Sequence, residues 1–226
     1  MADSQHPPDD IPLGTPGASA RARYERLAKR DEDRRRQRFG RLAPVVTLLA
    51  GPKHSTEAWA VGAEGEERIG ALLSRAVGDE GVVLHDRRVP HSRSNLDHLA
   101  VVPSGVWVID SKHYHGRLER RTVGGWFTSR ETLSVGRREQ SKLIASAGRQ
   151  RAEVARHLPS HIPVRAALCF TGVELGLFAR PFVLEGVLVT WPKALAKTLT
   201  RPGPLDAEAR RASAARLAQT FRSYAP

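Results

Sequence analysis

A single cysteine, Cys169, among 226 residues removes two classes of architecture at once, because one thiol can build neither an intrachain disulfide nor a cysteine zinc cluster. It stands inside the apolar run Val164 to Phe170, and a reducing, cytoplasmic location fits. Long hydrophobic runs are missing too. The longest near the N-terminus, Val45 to Ala50 with one Thr, falls far short of the ~18 residues that a membrane span needs. Residues Met1 to Pro16 are acidic and proline-rich where a signal peptide is basic and then apolar, so none is expected. No Walker A sequence and no dinucleotide fingerprint occurs, which leaves nucleotide-driven chemistry without support. His85, His91, His98, His113 and His115 lack the paired helical spacing of a zinc protease.

What the chain has in excess is positive charge. Its formal net charge is +12, from 36 Lys+Arg against 24 Asp+Glu, and 30 of the cations are arginine. Arginine suits planar contacts to phosphate. The excess attracts any polyanion, nucleic acid first and an anionic membrane second, but it carries neither specificity nor chemistry.

Residues 1–19 are poor in large apolar groups and cannot repay the entropy of ordering, so a disordered tail is expected there. Residues 20–55 read as a basic helical arm and linker. From Ala20 to Leu42 the apolar residues Tyr24, Leu27 and Phe39 are too sparse for a core-facing stripe. Two uses of the arm stay open: a solvated charged helix, or one that binds nucleic acid or a partner. The main domain is expected over 56–200, with a C-terminal helix in 201–226. Ile69, Leu72, Leu73, Ala76 and Val77 recur at helical spacing before Gly78. Val82 to Val89, Leu96 to Val102 and Val106 to Lys112 read as strands, with a further pair around Gly116 to Ser129. A helix over Arg138 to Leu158, strands at Val164 to Thr171 and Val183 to Thr190, and two closing helices complete the order. That order predicts an α/β or α+β domain, a mixed sheet flanked by helices.

The stretch Asn95 to Lys112 carries the chemistry. Two apolar strands meet at Pro103-Ser104-Gly105, and each bears a carboxylate away from that turn. A two-residue Ser104-Gly105 loop would set Asp97 opposite Lys112 and put Asp97, Asp110 and Lys112 on one face. A three-residue loop without a bulge would send Asp97 to the other face. Like charges beside Val101 and Val108 need an organising partner, and hard oxygen donors select Mg²⁺ or Mn²⁺. The plain alternative is a surface hairpin in which Asp110 and Lys112 pair as exposed charges. Glu66 lies three residues before Ile69 and seven before Leu73, on the inward stripe; the other account of it is a helix-start acid favoured by the dipole. Glu67 falls on the opposite side, and Glu64 is placed to pair with Arg68. Gly62 and Gly65 share the inward side, where close backbone approach is expected.

With these elements in this order, the sequence resembles the nuclease-related domain family, NERD, of the PD-(D/E)xK phosphodiesterase superfamily, from about Trp59 to Trp191. The resemblance rests on the Gly62-x-x-Gly65-Glu66 helix, the Asp97-His98 strand start, the Pro-Ser-Gly turn and the run Val108 to Tyr114 followed by Gly116. It implies a restriction-endonuclease-like mixed sheet and a metal-dependent nuclease site acting on nucleic acid, DNA before RNA. It maps the helix acid onto Glu66, the first strand acid onto Asp97, and the paired acid and lysine onto Asp110 and Lys112. Glu66, Asp97 and Asp110 would hold Mg²⁺ or Mn²⁺. Lys112 would orient or help deprotonate the nucleophile, with a lowered pKa. The resemblance also suggests that Gln140, sharing a helical face with Leu143, Ile144 and Ala147, lines the site; a solvated helix-start glutamine is the other account. His113 stands where the family often has Asn. The rival function is a non-catalytic module that binds nucleic acid or a partner on the same scaffold.

Overall fold

The computed structural model describes residues 11–39, 54–92, 94–125 and 128–224. The tail 1–10, the linker 40–53 with Val45 to Ala50, Trp126 and the side chains of Phe39 and Trp59 lie outside the described residues. The helices are α1 (Ala18–Phe39), α2 (His54–Val77), α3 (Ser141–Ala155), α4 (Pro192–Leu199) and α5 (Ala207–Thr220). The strands are β1 (Val82–Arg88), β2 (Asn95–Val102), β3 (Gly105–Val123), β4 (Arg130–Val135), β5 (Arg138–Glu139), β6 (Val164–Glu174), β7 (Phe182–Leu184) and β8 (Val187–Thr190).

The β-branched runs pair in the order β1-β2-β3-β6-β8-β7. β1, β2 and β3 form an antiparallel meander, β3, β6 and β8 run parallel, and β7 folds back on β8. This is the expected mixed sheet. Because residues alternate faces, each strand feeds two cores. On one side Ile69, Leu73 and Val77 of α2 and Leu195 and Leu199 of α4 pack on Ala100, Val102, Ile109 and Ala167. On the other, Ile144 and Ala147 of α3 meet Leu168 and Phe170, and Leu217 of α5 joins Leu99, Val101 and Val108.

Three boundaries differ from expectation for local reasons. The strand begun at Val106 runs on to Val123, because its pairing with β2 ends at Ile109 and from Leu118 onward it pairs with β4. The run Val183 to Thr190 divides into β7 and β8. Glu185 and Gly186 both have positive φ, 48° and 75°, between the paired residues Leu184 and Val187, which is the backbone of a tight two-residue hairpin. The third helix starts at Ser141, leaving Gln140 outside it as the N-cap residue.

The N-terminal residues are also more engaged than composition suggested. Ala20 is buried and Tyr24, Leu27 and Ala28 are half-buried, so two alanines complete a stripe along which α1 packs on α2. Ahead of it, the Leu13 carbonyl accepts from the His85 amide at 2.7 Å, covering the open edge of β1. The Pro16 ring sits on Gly70, where an added Cβ would come within 2.4 Å of it. Gly65, by contrast, has nothing within 4 Å of such a Cβ, so the close approach expected there is made one turn later in the helix.

Arg87, fully buried in β1, donates to the carbonyls of Pro12 and Phe221. Its pKa is lowered to about 10, by burial first, with Asp86 acting in the opposite sense. Deleting residues 1–17 removes the Pro12 acceptor and strips the β1 edge. The expected result is a loss on the order of 3 kcal/mol, seen as a Tm roughly 10 °C lower in a thermal melt; an unchanged Tm would show that the segment contributes nothing to the fold.

Candidate functional site

Val102 pairs with Gly105, so the turn residues are Pro103 and Ser104. The register is therefore two residues away from the one expected, and it sets Asp97 across from Asp110 instead of Lys112. A shift of two keeps faces unchanged. On the other side of β2, His85 pairs with His98 and Arg87 with Leu96, which puts Asp86 across from Asp97. Asp86, Asp97 and Asp110 thus stand in a row over three neighbouring strands.

Regular alternation is interrupted at that row. Leu96 and Leu99, three residues apart, join the same hydrophobic cluster, although in a regular strand they would face opposite ways. Asp86 has φ 46°. Asp97 Oδ2 accepts from the Ser111 amide at 2.8 Å, where the pairing of β2 with β3 stops. The departure from a flat ladder brings the carboxylate of β2 against the backbone of the Asp110-Ser111-Lys112 segment.

Asp110 is only 6% exposed, and its Oδ1 accepts from the Lys112 ammonium. Lys112 also donates to the Ser111 carbonyl at 3.2 Å. The surface-hairpin account of this pair is therefore not what forms. Burial, and then the Asp97 charge, push Asp110 up to about 7 against the pull of Lys112. Burial also works to lower the lysine, but Asp110, Asp97 and Glu66 outweigh it and the net shift is upward. With no cation beside it, Lys112 is thus shifted upward: the carboxylates around it outweigh its desolvation.

Glu66 reaches the same group from α2. Its pKa is raised to about 9 by burial, then by Asp97, Asp86 and Asp110, with Lys112 opposing. Its neighbours on the helix go elsewhere as expected. Glu64 pairs with Arg68 at 2.6 Å, and Glu67 takes Arg21 of α1. Three carboxyl groups, those of Asp110, Asp97 and Glu66, thus share one ammonium, and Asp86 adds its charge at Glu66. Among the described residues no three His, Cys, Asp or Glu side chains are spaced to hold a metal ion as they stand; Lys112 occupies the Asp110 oxygen that such an ion would need.

Asp86 was not singled out by the sequence reasoning, although a charged His-Asp-Arg triplet inside the strand Val82 to Arg88 was its signal. Both its oxygens are taken. Oδ2 accepts from the Ser19 amide and Oδ1 from Asn95 Nδ2 at 2.9 Å, so Asp86 ties the start of α1 to the row. Gln140 is the N-cap residue of α3: it makes no side-chain capping bond, its backbone N–H donates to the Leu133 carbonyl, and its own carbonyl accepts from the Leu143 amide. His113 bonds Thr171 Oγ1 at 3.1 Å. Cys169 is buried with its thiol pushed up to about 12 by burial, an inert core residue. No helix among the described residues is long and apolar enough to cross a membrane.

Comparison with known proteins agrees with this geometry. The family model for the nuclease-related domain, NERD, matches residues 61–171, a span that holds Glu66, Asp97, Asp110 and Lys112. No curated protein and no solved structure matches the chain. Over residues 61–171, just under half of its length, the chain is similar to the nuclease-related domain family, NERD.

Proposed function

We propose that this domain is a metal-dependent phosphodiesterase of nucleic acid, DNA in the first place, in which Asp97 and Asp110 ligate Mg²⁺ or Mn²⁺ and Glu66 completes the shell directly or through water. The observation that carries it is that Glu66, Asp97, Asp110 and Lys112, from α2, β2 and β3, lie near enough to shift one another's charge, with Lys112 bonded to Asp110. The donor set fits the ion, since all the ligating atoms are hard carboxylate oxygens. The surplus of carboxyls over ammonium, which holds Glu66 and Asp110 above their usual range, is the imbalance a divalent cation offsets. When bound, such an ion supplies Lewis acidity toward phosphate oxygen and a lowered pKa for a coordinated water.

The protein's own residues do the rest. Asp110, which now accepts from Lys112, would be one of the carboxylates that hold the cation. Lys112, kept protonated by its acidic neighbours, orients the scissile phosphate and balances its charge, which favours an electrostatic role over that of a general base. Asp97, fixed by the Ser111 amide, is pre-positioned. The exposed cations of α1, among them Arg26, Arg30 and Arg34, offer phosphate contacts beside the site, because α1 begins on Asp86.

A module that binds nucleic acid without cutting it is the rival. Clustered carboxylates repel phosphate and serve a pure binder poorly. The test is incubation of the full chain with plasmid and with labelled single strands in Mg²⁺, in Mn²⁺ and in EDTA. Cleavage in either metal and none in EDTA is expected. Binding without cleavage in both metals would sink the catalytic proposal in favour of its rival.

A further inference from the structure

The turn after β6 holds two large apolar side chains out in solvent. Ala179 N donates to the Gly176 carbonyl at 2.9 Å, closing a four-residue turn whose central residues are Leu177 and Phe178. They are 92% and 88% exposed, and the next most open large hydrophobic side chain among the described residues, Val183, is 58% exposed. Central turn positions ordinarily go to Gly, Pro, Asn, Asp or Ser, each for a backbone reason that Leu and Phe do not supply. The fold gains nothing from this pair, and adjacent exposed apolar groups mark a contact surface.

The surroundings indicate what the surface meets. Arg180 follows the pair and is exposed. The Arg117 guanidinium lies against Gly176, with Nη2 3.4 Å from where a Cβ would stand, and the Arg120 guanidinium lies over the Phe182 ring at 5.6 Å. Arg117 and Arg120 also pair with Glu119 and Glu131 at 3.1 and 3.4 Å, and Glu174 is exposed nearby, so cations collar the tip without forming a uniform field. The turn leaves the carboxyl end of β6, which runs parallel to β3 with Phe170 paired to Lys112. Seven residues at ~3.3 Å each put Leu177 no more than roughly 23 Å beyond the level of Lys112. That is within one turn of a duplex, about 34 Å.

We propose that Leu177 and Phe178 form an apolar wedge that packs against the bases of the nucleic acid held at the acid and lysine group, unstacking a base step while the flanking arginines hold phosphates. The proposal rests on the nucleic-acid reading of the site. Apolar side chains that enter a base step are a known way of bending or opening a strand, with arginine contacts alongside. A second copy of the chain is a poorer occupant, since two side chains fall well short of the ~800 Å² per partner that a stable protein interface buries.

The test uses the full chain in EDTA, so that binding is read without cleavage. Duplexes and single strands carry 2-aminopurine at successive positions, and fluorescence and affinity are measured across a salt series. Wild type is expected to raise the fluorescence at one or two neighbouring positions. A variant with Leu177→Ser and Phe178→Ala should lose that rise and bind roughly tenfold more weakly, with the same salt slope, because no cation is removed, and the same Tm. A rise that persists in the variant, or wild type that binds without any rise or does not bind, overturns the wedge. So does an unchanged base signal together with loss, in the variant, of binding to anionic vesicles or of self-association. Unstacking without cleavage in Mg²⁺ or Mn²⁺ would count against the nuclease proposal alone, and cleavage without unstacking against the wedge alone.

Discussion

Asp110→Ala is expected to abolish metal-dependent cleavage and to weaken Mg²⁺ or Mn²⁺ binding, whereas Lys112→Ala should lose cleavage and keep the metal. The two residues touch each other, yet their removal acts on opposite sides of the charge balance. Taking away Asp110 removes a ligand. Taking away Lys112 frees that ligand from a competing cation, so metal affinity should hold or rise. The lysine contribution to catalysis should be on the order of 10²–10³-fold, the range of one pre-organised donor aimed at developing charge. Neither substitution opens an apolar cavity, and both should leave the fold intact. Calorimetric metal titration, circular dichroism and cleavage of a labelled strand on the same preparations separate these outcomes. If Lys112→Ala lost the metal, the lysine would be organising the ligands and the assigned roles would have to be exchanged. If both variants cut normally, the catalytic assignment would fall.

Much of this site was legible because the pattern that carries it is local. Asp110 and Lys112 are two residues apart on one strand, so their common face follows from the pleat alone. Glu66 was legible from its phase relative to Ile69 and Leu73, both of which are buried in the core beneath α2. Asp97 was reached by a register argument whose turn was misplaced by one residue on each side. A shift of two residues by itself conserves the face, but alternation breaks between Leu96 and Leu99, and it is the bond from the Ser111 amide that holds Asp97 against the Asp110-Ser111-Lys112 segment.

What was hidden depends on contacts between segments far apart in the chain. Asp86 looked like one charge in a strand, and only the pairing of β1 with β2 puts it in the aspartate row. The pKa of Lys112 was expected to fall beside a metal ion, and the three carboxyls that surround it shift it upward where no ion offsets them. The stripe of α1 was missed because Ala20 and Ala28 count for little in a hydrophobic pattern, yet small residues are what let two helices lie close. Gln140 was placed inside a helix begun at Arg138, whereas the helix begins at Ser141 and Gln140 caps it, accepting the Leu143 amide.

Acid should destabilise the wild-type protein more than a variant lacking one buried histidine. His85 Nδ1 and His98 Nδ1 stand 3.0 Å apart, and His85 Nε2 is 3.1 Å from Ser74 Oγ. One Nδ1 donates and the other accepts, so at most one of the two rings can carry two protons in this arrangement. His98 Nε2 is buried and has no partner among the described residues, so a proton there goes unpaired. The pKa of each ring is lowered to about 3, His98 by burial and His85 by burial, then by His98 and Arg87. Between the unfolded value near 6.5 and that lowered value, the unfolded chain binds more protons than the folded one, so stability falls as pH falls. From pH 8 to pH 5 the loss is about 2 kcal/mol for each histidine. Glu66, raised to about 9, pulls the other way, because its folded form holds the extra proton and stability from that source grows on acidification. The comparison that isolates the ring is therefore wild type against His98→Gln. Urea unfolding at pH 8, 7, 6 and 5 should show the wild type losing about 2 kcal/mol more than the variant across the series. Parallel curves would mean that His98 takes up its proton in the folded state as readily as in the unfolded one, and that the pair is not held neutral by the core.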